Sequence, residues 1–264
     1  MTLFILSNIN SGVLASALFI GIILFYFFGL KVSHYKKKKD PSYEPSGIGA
    51  LEGSLLGLLA LLLAFTFNKS SSYYDSRREI LIQETNNIGT ALLRADLYPD
   101  SVRQILRSDF KRYINERIQY FECGDDENKI QASLKKSNEI SERIWKVAAM
   151  ISGQDRNTTR SMQMIPALNN MIDAVTAREE ARKAHVPSSI LWLLFFLCVI
   201  GSFIVGYSEK SKKADWIILI SYSLMTVMTV FLILDLDQPR HGIINTRNTH
   251  HYMYKLLDSF KNKE

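Results

Sequence analysis

The stretch GIGALEGSLLGLLALLLAFTF, residues 47–67, decides how this chain folds. It is predominantly apolar, and Glu52 is its only charged residue. An α-helix rises about 1.5 Å per residue, so crossing a hydrocarbon core of about 30 Å takes about 20 apolar residues. No strong helix breaker follows before Asp96. The stretch therefore predicts a transmembrane helix that continues far beyond the membrane, for about 70 Å if it is unbroken from Gly49.

Three other stretches, residues 13–32, 188–207 and 216–236, are equally long and nearly free of charge. Buried helices of soluble proteins are rarely apolar on every face for this length. The sequence therefore predicts an all-α integral membrane protein with four transmembrane helices. A helical extramembrane domain is inserted between the second and third.

The long segment between the second and third spans changes to amphipathic helical patterns. Apolar residues recur at helical spacing within residues 100–121, 128–151 and 162–183. We expect this domain to be continuous with transmembrane helices 2 and 3, with a bend at Pro187. The predicted divisions are residues 1–67 for the first two spans, 68–187 for the helical domain, 188–237 for the last two spans, and 238–264 for a C-terminal tail with a short amphipathic helix.

The chain has a formal net charge of +6, much of it in short loops between the spans. The extramembrane segment mixes both signs without a basic stripe, which argues against nucleic acid as a partner. By the positive-inside rule, the short loops with Lys36–Lys39 and with Lys210, Lys212 and Lys213 should be cytoplasmic. The run Lys36–Lys39 is a candidate site for anionic lipid, or alternatively a solvated turn.

The sequence offers no recognisable catalytic or cofactor motif, so we expect neither an enzyme nor a bound cofactor. His250 and His251 are adjacent and cannot share one face of a helix, so we expect no metal site there. Cys123 lies in the charged domain and Cys198 inside a span, which argues against a structural disulfide.

One face of the second span could line a pore. A carboxylate inside a span normally faces a cavity, a partner or the interface, and the alternative for Glu52 is to reach water or a nearby lysine. Leucine side chains from several subunits could form rings around an axis and so an apolar constriction. The alternative is that these leucines face lipid. The pore-lining candidates are Glu52, Leu55, Leu59, Leu62 and Thr66.

Small residues on the same span suggest close helix contacts. Gly49, Gly53 and Gly57 stand four residues apart, followed by Ala60 and Ala64. Such rows let helix backbones approach closely in lipid. They could pack within one subunit or between subunits around an axis.

Acidic residues end the fourth span. Buried acids at a membrane surface need partners, and arginines flank the spans. We expect a structural salt-bridge network formed by Arg77, Arg78, Asp235, Asp237 and Arg240.

Two passages carry a family resemblance: residues 53–103, which begin GSLLGLLALLLAFTFNKSSSYYDSRREI, and residues 165–187, IPALNNMIDAVTAREEARKAHVP, followed later by LDLDQPRHG at 234–242. They resemble the bestrophin-like domain family of bacterial membrane proteins. The matching positions are Arg77, Arg78, Glu84, Asn87, Gly89, Thr90, Arg94, Asn169, Asp173, Arg178, Asp235, Asp237, Pro239 and Gly242.

The layout is also similar to that of the bestrophin anion channels. That similarity implies a homo-oligomer, by analogy a pentamer, in a bacterial inner membrane, with transmembrane helix 2 lining a pore for small anions. It also implies a cytoplasmic helical domain, whereas the lysine-rich loops favour the opposite side. The alternative function is a non-conducting membrane-anchored sensor or scaffold whose helical domain binds a protein partner.

Overall fold

The computed structural model describes residues 10–40, 42–43, 48–152, 159–209, 216–238, 240 and 242–260. Within these residues the chain forms helices and no strand, which confirms the all-α prediction. The predicted loop lysines Lys210, Lys212 and Lys213, and Pro239 of the family passage, lie outside the described residues. The helices are α1 Ser11–Lys39, α2 Ile48–Ala95, α3 Asp100–Glu122, α4 Glu127–Ser152, α5 Thr159–Lys183, α6 Ser188–Ser208, α7 Trp216–Asp237 and α8 Arg247–Asp258.

The chain divides into two compact units. Unit 1 comprises Met1–Tyr73, His185–Gln238 and Gly242–Ile244. Unit 2 comprises Tyr74–Ala184, Pro239–His241 and Asn245–Glu264. The division falls within α2, a few residues after the end of its apolar stretch.

Unit 1 contains the membrane-spanning segments. Four helical stretches are long and apolar enough to cross a membrane: α1, α2, α7 and the stretch Thr159–Ser208, whose apolar part is α6. The protein is therefore an all-α integral membrane protein with four transmembrane helices. The core of unit 1 is built by apolar residues of all four spans, among them Ile22, Leu59, Leu194, Val230 and Ile233.

The backbones of helices α1 and α6 approach each other very closely where the two helices cross. A methyl group added at Gly29 would lie 2.1 Å from the carbonyl oxygen of Phe203, and one added at Gly206 would lie 2.1 Å from that of Tyr26. The two glycines therefore bring the backbones of the helices into direct contact, a common way of packing helices in lipid. Close by, the Ser202 hydroxyl donates to the carbonyl oxygen of Ile22.

Unit 2 is a helical bundle with its own apolar core. Buried residues come from the distal part of α2 and from α3, α4, α5 and α8, among them Ile88, Phe110, Ile144, Leu168 and Met253. The short helix predicted in the C-terminal tail is α8, and Met253 and Phe260 make the segment part of this core.

The two long predicted helices differ at their junctions. Helix α2 runs without interruption for 48 residues, or about 70 Å. In contrast, residues 184–187 are not helical, so α5 and α6 are separate helices rather than one continuous rod. Pro187 is the N-cap of α6; because a proline disfavours helical backbone in the residue before it, the break falls at this position.

Candidate functional site

The predicted pore-lining face of α2 packs in part against its own subunit. Leu59 is only 3% exposed and belongs to the core of unit 1, against which Leu55 and Leu62 also pack. Thr66 is buried as well, and its hydroxyl donates to the carbonyl oxygen of Leu62 at 2.7 Å. These side chains contact their own chain in the described residues, and pore lining by Leu55, Leu59, Leu62 and Thr66 stays a prediction. Leucine composition alone could not distinguish a core face from a pore face.

Small residues occupy the opposite face of α2. A methyl group added at Gly49, Gly53 or Gly57 would meet nothing within 4 Å. Ala50 and Ala64, each seven residues from Gly57, are exposed as well. Close packing of these glycines within one subunit, the first of the two alternatives, is therefore absent from the described residues. Packing between subunits stays a prediction.

Glu52 lies near the start of α2 and is partly buried. Its carboxylate accepts a hydrogen bond from the hydroxyl of Ser208, the last residue of α6, at 2.9 Å. The contact fits a carboxylate near the membrane boundary that is held by a neighbouring helix. A role for Glu52 in the pore stays a prediction.

The lysine run ends α1. Lys36 donates to the hydroxyl of Tyr207 at 3.0 Å and lies 5.2 Å from the ring centroid of Tyr43. Lys38 and Lys39 are exposed. Binding of anionic lipid by Lys36–Lys39 therefore stays a prediction, with Lys36 partly engaged by the tyrosines.

The two aspartates at the end of α7 stabilise backbone of unit 1. Asp235 accepts hydrogen bonds from the backbone N–H groups of Ile243 and Ile244 at 3.1 and 2.8 Å. Asp237 accepts from the N–H of Val186 at 2.9 Å and contacts Nδ1 of His185 at 3.3 Å. These contacts satisfy buried carboxylates with N–H donors, so both acids hold loop backbone next to the last span.

The arginines of the predicted network have partners in unit 2. Arg77 donates to the carbonyl oxygens of Ala181 and Ala184 at the end of α5, where a positive charge also favours the helix dipole. Arg240 donates to the carbonyl oxygen of Gly124. Arg78 is exposed. The described contacts therefore make Arg77 and Arg240 backbone-binding residues, and ion pairing of these arginines with Asp235 and Asp237 stays a prediction.

A buried ion cluster lies in the interior of unit 2. The Glu84 carboxylate accepts from Nε of Arg117 at 2.6 Å and from Nη1 of Arg178 at 2.5 Å. Glu84 and Arg117 are both fully buried. Burial by itself would raise the pKa of the Glu84 carboxyl, but the charges of Arg117 and Arg178 outweigh that effect and hold the pKa below its ordinary value. Glu84 is therefore ionised and shared by two arginines.

A second carboxylate, Glu179, is held at the side of this cluster. It accepts from the Tyr120 hydroxyl at 2.6 Å and makes a two-point contact with Arg182 at 2.7 and 3.0 Å. Burial raises the pKa of Glu179, and the hydrogen bonds from Arg182 and Tyr120 more than offset it, so the pKa falls to about 2. This glutamate is also ionised, and it is already satisfied by its own neighbours.

Three guanidinium groups surround the ring of Tyr120. The central carbons of Arg117, Arg178 and Arg240 lie 4.6, 4.9 and 4.8 Å from the ring centroid. Cation–π attraction stabilises each group against the ring. Attraction to the aromatic ring thus offsets part of the repulsion among the three positive charges around it.

His250 of α8 completes the cluster. Nη2 of Arg178 lies 2.7 Å from Nε2 of His250, and Phe121 stacks on the imidazole ring with centroids 3.7 Å apart. Burial lowers the pKa of His250, and the charges of Arg178, Arg240 and Arg117 lower it further, to about 2. His250 is therefore neutral and serves as a hydrogen-bond acceptor for an arginine.

A small cavity of about 40 Å³ opens beside the cluster. Its volume suffices for a few waters or one small ion. Its polar lining consists mainly of arginine side chains, together with the side chains of His250 and Tyr120. The lining residues are Arg77, Leu81, Tyr120, Phe121, Arg178, Ala181, Arg182, Arg240, Thr246 and His250.

The sequence resemblance pointed to Glu84 and Arg178, but reasoning from patterns missed Arg117 and His250. A signal was present for Arg117, which occupies the apolar stripe of α3 between Tyr113 and Tyr120. A lone arginine on a core-facing stripe indicates a buried ion pair because its charge needs a partner there. Nothing in the sequence pattern marks His250 as part of the same cluster.

Comparisons with known proteins place the chain in a family. The sequence model of the bestrophin-like domain matches residues 50–250, most of the chain. A crystal structure of a bacterial bestrophin homologue from Klebsiella pneumoniae with a point mutation is similar, with a TM-score of 0.63 and 13% sequence identity. The similarity covers 91% of this chain and 98% of that one. No curated protein matches. The resemblance noted in the sequence is thus confirmed, and the chain belongs to the bestrophin-like domain family.

Proposed function

We propose that the protein is a homo-oligomeric channel for small anions, with the small-residue face of α2 lining the pore. We define this face as Ala50, Gly53, Gly57, Ala60 and Ala64. By analogy with bestrophin channels, five copies would surround one axis. The proposal places the channel in a bacterial inner membrane, with the Lys36–Lys39 end of α1 in the cytoplasm.

The observation that carries the proposal is the poor burial of α2 within its own subunit. Within the most apolar segment of α2, only 11% of the residues are buried. The corresponding shares are 33% for α1, 39% for the stretch Thr159–Ser208 and 33% for α7. The spans α1, α6 and α7 thus pack closely with one another, whereas α2 presents most of its surface outward. A span of this kind needs lipid or further copies of the chain as neighbours.

The chemistry of the exposed face favours copies of the chain over lipid. Lipid-facing helices gain nothing from glycine and alanine, whereas these residues allow close approach of helix backbones or leave open space along an axis. Leu51, Leu58 and Phe65 lie at the side of this face and are exposed. In a ring they would contact neighbouring helices while the small residues face the lumen.

Anion selectivity is supported by the similarity to bestrophin channels and by the net charge of +6. An excess of positive charge raises the local concentration of anions at a pore entrance and lowers that of cations. The small-residue face itself carries no charge, so selectivity would arise at the entrances rather than along the apolar part.

Flux from liposomes tests the proposal. Full-length protein, reconstituted into liposomes with a chloride gradient, should dissipate that gradient, and a potassium gradient should persist. The matched pair of variants is Gly57→Leu, which would fill the lumen, and Val13→Leu, which adds bulk to an exposed position on α1. Chloride flux should fall at least tenfold for Gly57→Leu and stay unchanged for Val13→Leu.

Two results would contradict the proposal. One is a protein that stays monomeric in detergent and carries no ion under any potential or pH. The other is unchanged flux in Gly57→Leu, because a leucine ring at a lumen-facing glycine cannot leave conduction intact. A monomer without flux would instead favour the membrane-anchored sensor.

A further inference from the structure

The cluster around Tyr120 carries a surplus of positive charge. Arg77, Arg178, Arg182 and Arg240 line the cavity. Arg117 belongs to the same cluster without lining the cavity, and the buried carboxylates of the cluster are Glu84 and Glu179. Glu84 is shared by two arginines, and Glu179 is shared by Arg182 and Lys183. Two more carboxylates interact with the cluster, Asp125 with Arg240 and Glu127 with Arg182, but both are exposed to solvent, which screens them.

Two buried groups of the cluster offer N–H donors that lack acceptors. Both terminal nitrogens of Arg117 are fully buried and have no hydrogen-bond partner among the described residues. An arginine can only donate, so Nε2 of His250 must accept from Arg178, and the single ring proton must sit on Nδ1. That Nδ1–H is also buried without an acceptor in the described part of the chain. Each such donor destabilises the fold unless something accepts from it.

These observations share one direction. The unsatisfied nitrogens of Arg117 and His250 are donors, the net charge of the cluster is positive, and His250 lines the cavity. A cation would be repelled here, and an apolar ligand would leave the donors unsatisfied. Guanidinium groups bind the paired oxygens of carboxylate and phosphate with two parallel hydrogen bonds.

We propose that this cavity of unit 2 binds a small oxyanion, such as inorganic phosphate or a short carboxylate, held by Arg178, Arg182, Arg240 and His250. The oxyanion would supply the missing negative charge and accept from guanidinium N–H groups. The residues that would hold the oxyanion differ from those of the small-residue face of α2, which would line the pore of the proposed channel. Oxyanion binding can be measured whether or not the protein conducts.

The depressed pKa of Arg240 agrees with this electrostatic setting. Burial is its main cause, and the neighbouring charges of Arg182 and Arg178 add to it, while Tyr120 and Asp125 act in the opposite direction. A bound anion would relieve this repulsion. Ligand binding should therefore stabilise unit 2, because a ligand that binds only the folded state raises its stability.

The experiment measures thermal unfolding of the full-length protein in detergent, titrated with sodium phosphate, sodium acetate or sodium chloride at constant ionic strength. Phosphate or acetate should raise the melting temperature in a saturable manner, and chloride should not. Arg240→Gln and His250→Phe each remove donors from the cavity. Each should weaken the apparent affinity by about tenfold or more, as expected for the loss of one charge-assisted hydrogen bond.

Arg112→Gln is the matched control. It removes one positive charge from α3, but the Arg112 side chain is 58% exposed and lies 3.8 Å from the buried carboxylate of Asp109, to which Arg143 also donates. Its oxyanion affinity should equal that of the unchanged protein. Arg240→Lys, which keeps the charge and loses the planar fork, should bind with intermediate affinity. Equal oligomer elution of all variants checks that they fold.

Three results would overturn the proposal. A cavity that holds only water predicts the same small shift with phosphate, acetate and chloride. Saturable stabilisation by chloride alone would contradict the oxyanion assignment. Binding that weakens equally in Arg112→Gln and Arg240→Gln would place the site elsewhere on the molecule.

Discussion

Two glycine-bearing surfaces of unit 1 show opposite environments. At the crossing of α1 and α6, Gly29 and Gly206 each touch the backbone of the facing helix, and a methyl group has no room at either position. On α2, a methyl group added at Gly53 or Gly57 would meet nothing within 4 Å in the same subunit. The first surface is used inside the subunit, whereas the second is left open.

The difference shows where each surface acts. Association of helices in lipid depends on close packing because lipid tails are as apolar as the side chains they contact. The α1–α6 crossing is therefore part of what holds a single subunit together. The open face of α2 makes no such contact within its own subunit, and we assign it to the lumen that several copies would form.

The largest expected effect on stability is at the crossing of α1 and α6. Gly206→Ala would place a methyl group against the carbonyl oxygen of Tyr26, and backbone cannot move aside cheaply. We expect a loss of about 3 kcal/mol or more in the free energy of unfolding, at the upper end for overpacked cores. The measurement is thermal or denaturant unfolding in detergent. Gly201→Ala on the same helix is the control, because its nearest contacts would be 3.8 and 3.9 Å away.

The next effect compares the two sides of α2. Leu59→Ala removes a side chain from the core of unit 1, and should cost about 2–3 kcal/mol, the lower part of the range for leucine truncation in cores. Leu58 is 51% exposed, so Leu58→Ala should change subunit stability by less than about 0.5 kcal/mol. Unfolding of both variants under one set of conditions gives the difference directly. Equal losses would mean that α2 does not present the faces described above.

The smallest effect on the subunit is expected on the open face of α2. Gly53→Leu should leave the unfolding of a subunit unchanged, because a methyl group added at this position would meet nothing within 4 Å. Because the position faces the lumen of the proposed channel, the mass measured in detergent should also stay unchanged, while chloride flux should fall. Val13→Leu, on an exposed face of α1, should leave both the mass and the flux unchanged. A fall in mass, or unchanged flux, in Gly53→Leu would contradict a lumen-facing position.

Acid should destabilise unit 2 through Glu179. Its pKa in the folded protein is about 2, below the ordinary value of 4.5, so its ionised contacts contribute stability that is fully present above pH 4.5. That contribution is lost as pH falls from 4.5 toward 2. Glu179→Gln lacks this carboxylate, so its unfolding free energy should fall less steeply over that window. Parallel pH profiles for the two proteins would contradict the ionised contact.

The sequence predicted the membrane spans and the length of α2 because both depend on local properties. In a membrane, a run of apolar residues long enough to span forms a helix because its backbone groups find hydrogen-bond partners only within the segment. The faces of α2 were not predictable in this way. In a membrane, core and lipid are both apolar, so Leu59 in the core and Leu58 on the surface have the same signal.

The polar contacts were harder to predict for a different reason. Asp235 and Asp237 were expected to pair with arginines, but the structure shows backbone N–H partners in loops whose conformation no residue pattern specifies. Glu84 and Arg178 were named only because they match the family passages. Their contacts with Arg117 and His250 depend on how four separate helices pack. The break before α6 was predicted only as a bend, although Pro187 was the correct signal.

The most direct test of the central claim is thiol accessibility on the two sides of α2 during conduction. Cysteine is introduced as Gly57→Cys or Leu59→Cys in a background with Cys123→Ser and Cys198→Ala, and chloride flux from liposomes is measured before and after a charged, membrane-impermeant thiol reagent. The account predicts that the reagent blocks flux through Gly57→Cys and leaves Leu59→Cys unaffected. Block of Leu59→Cys, or full flux through Gly57→Cys after treatment, would contradict it.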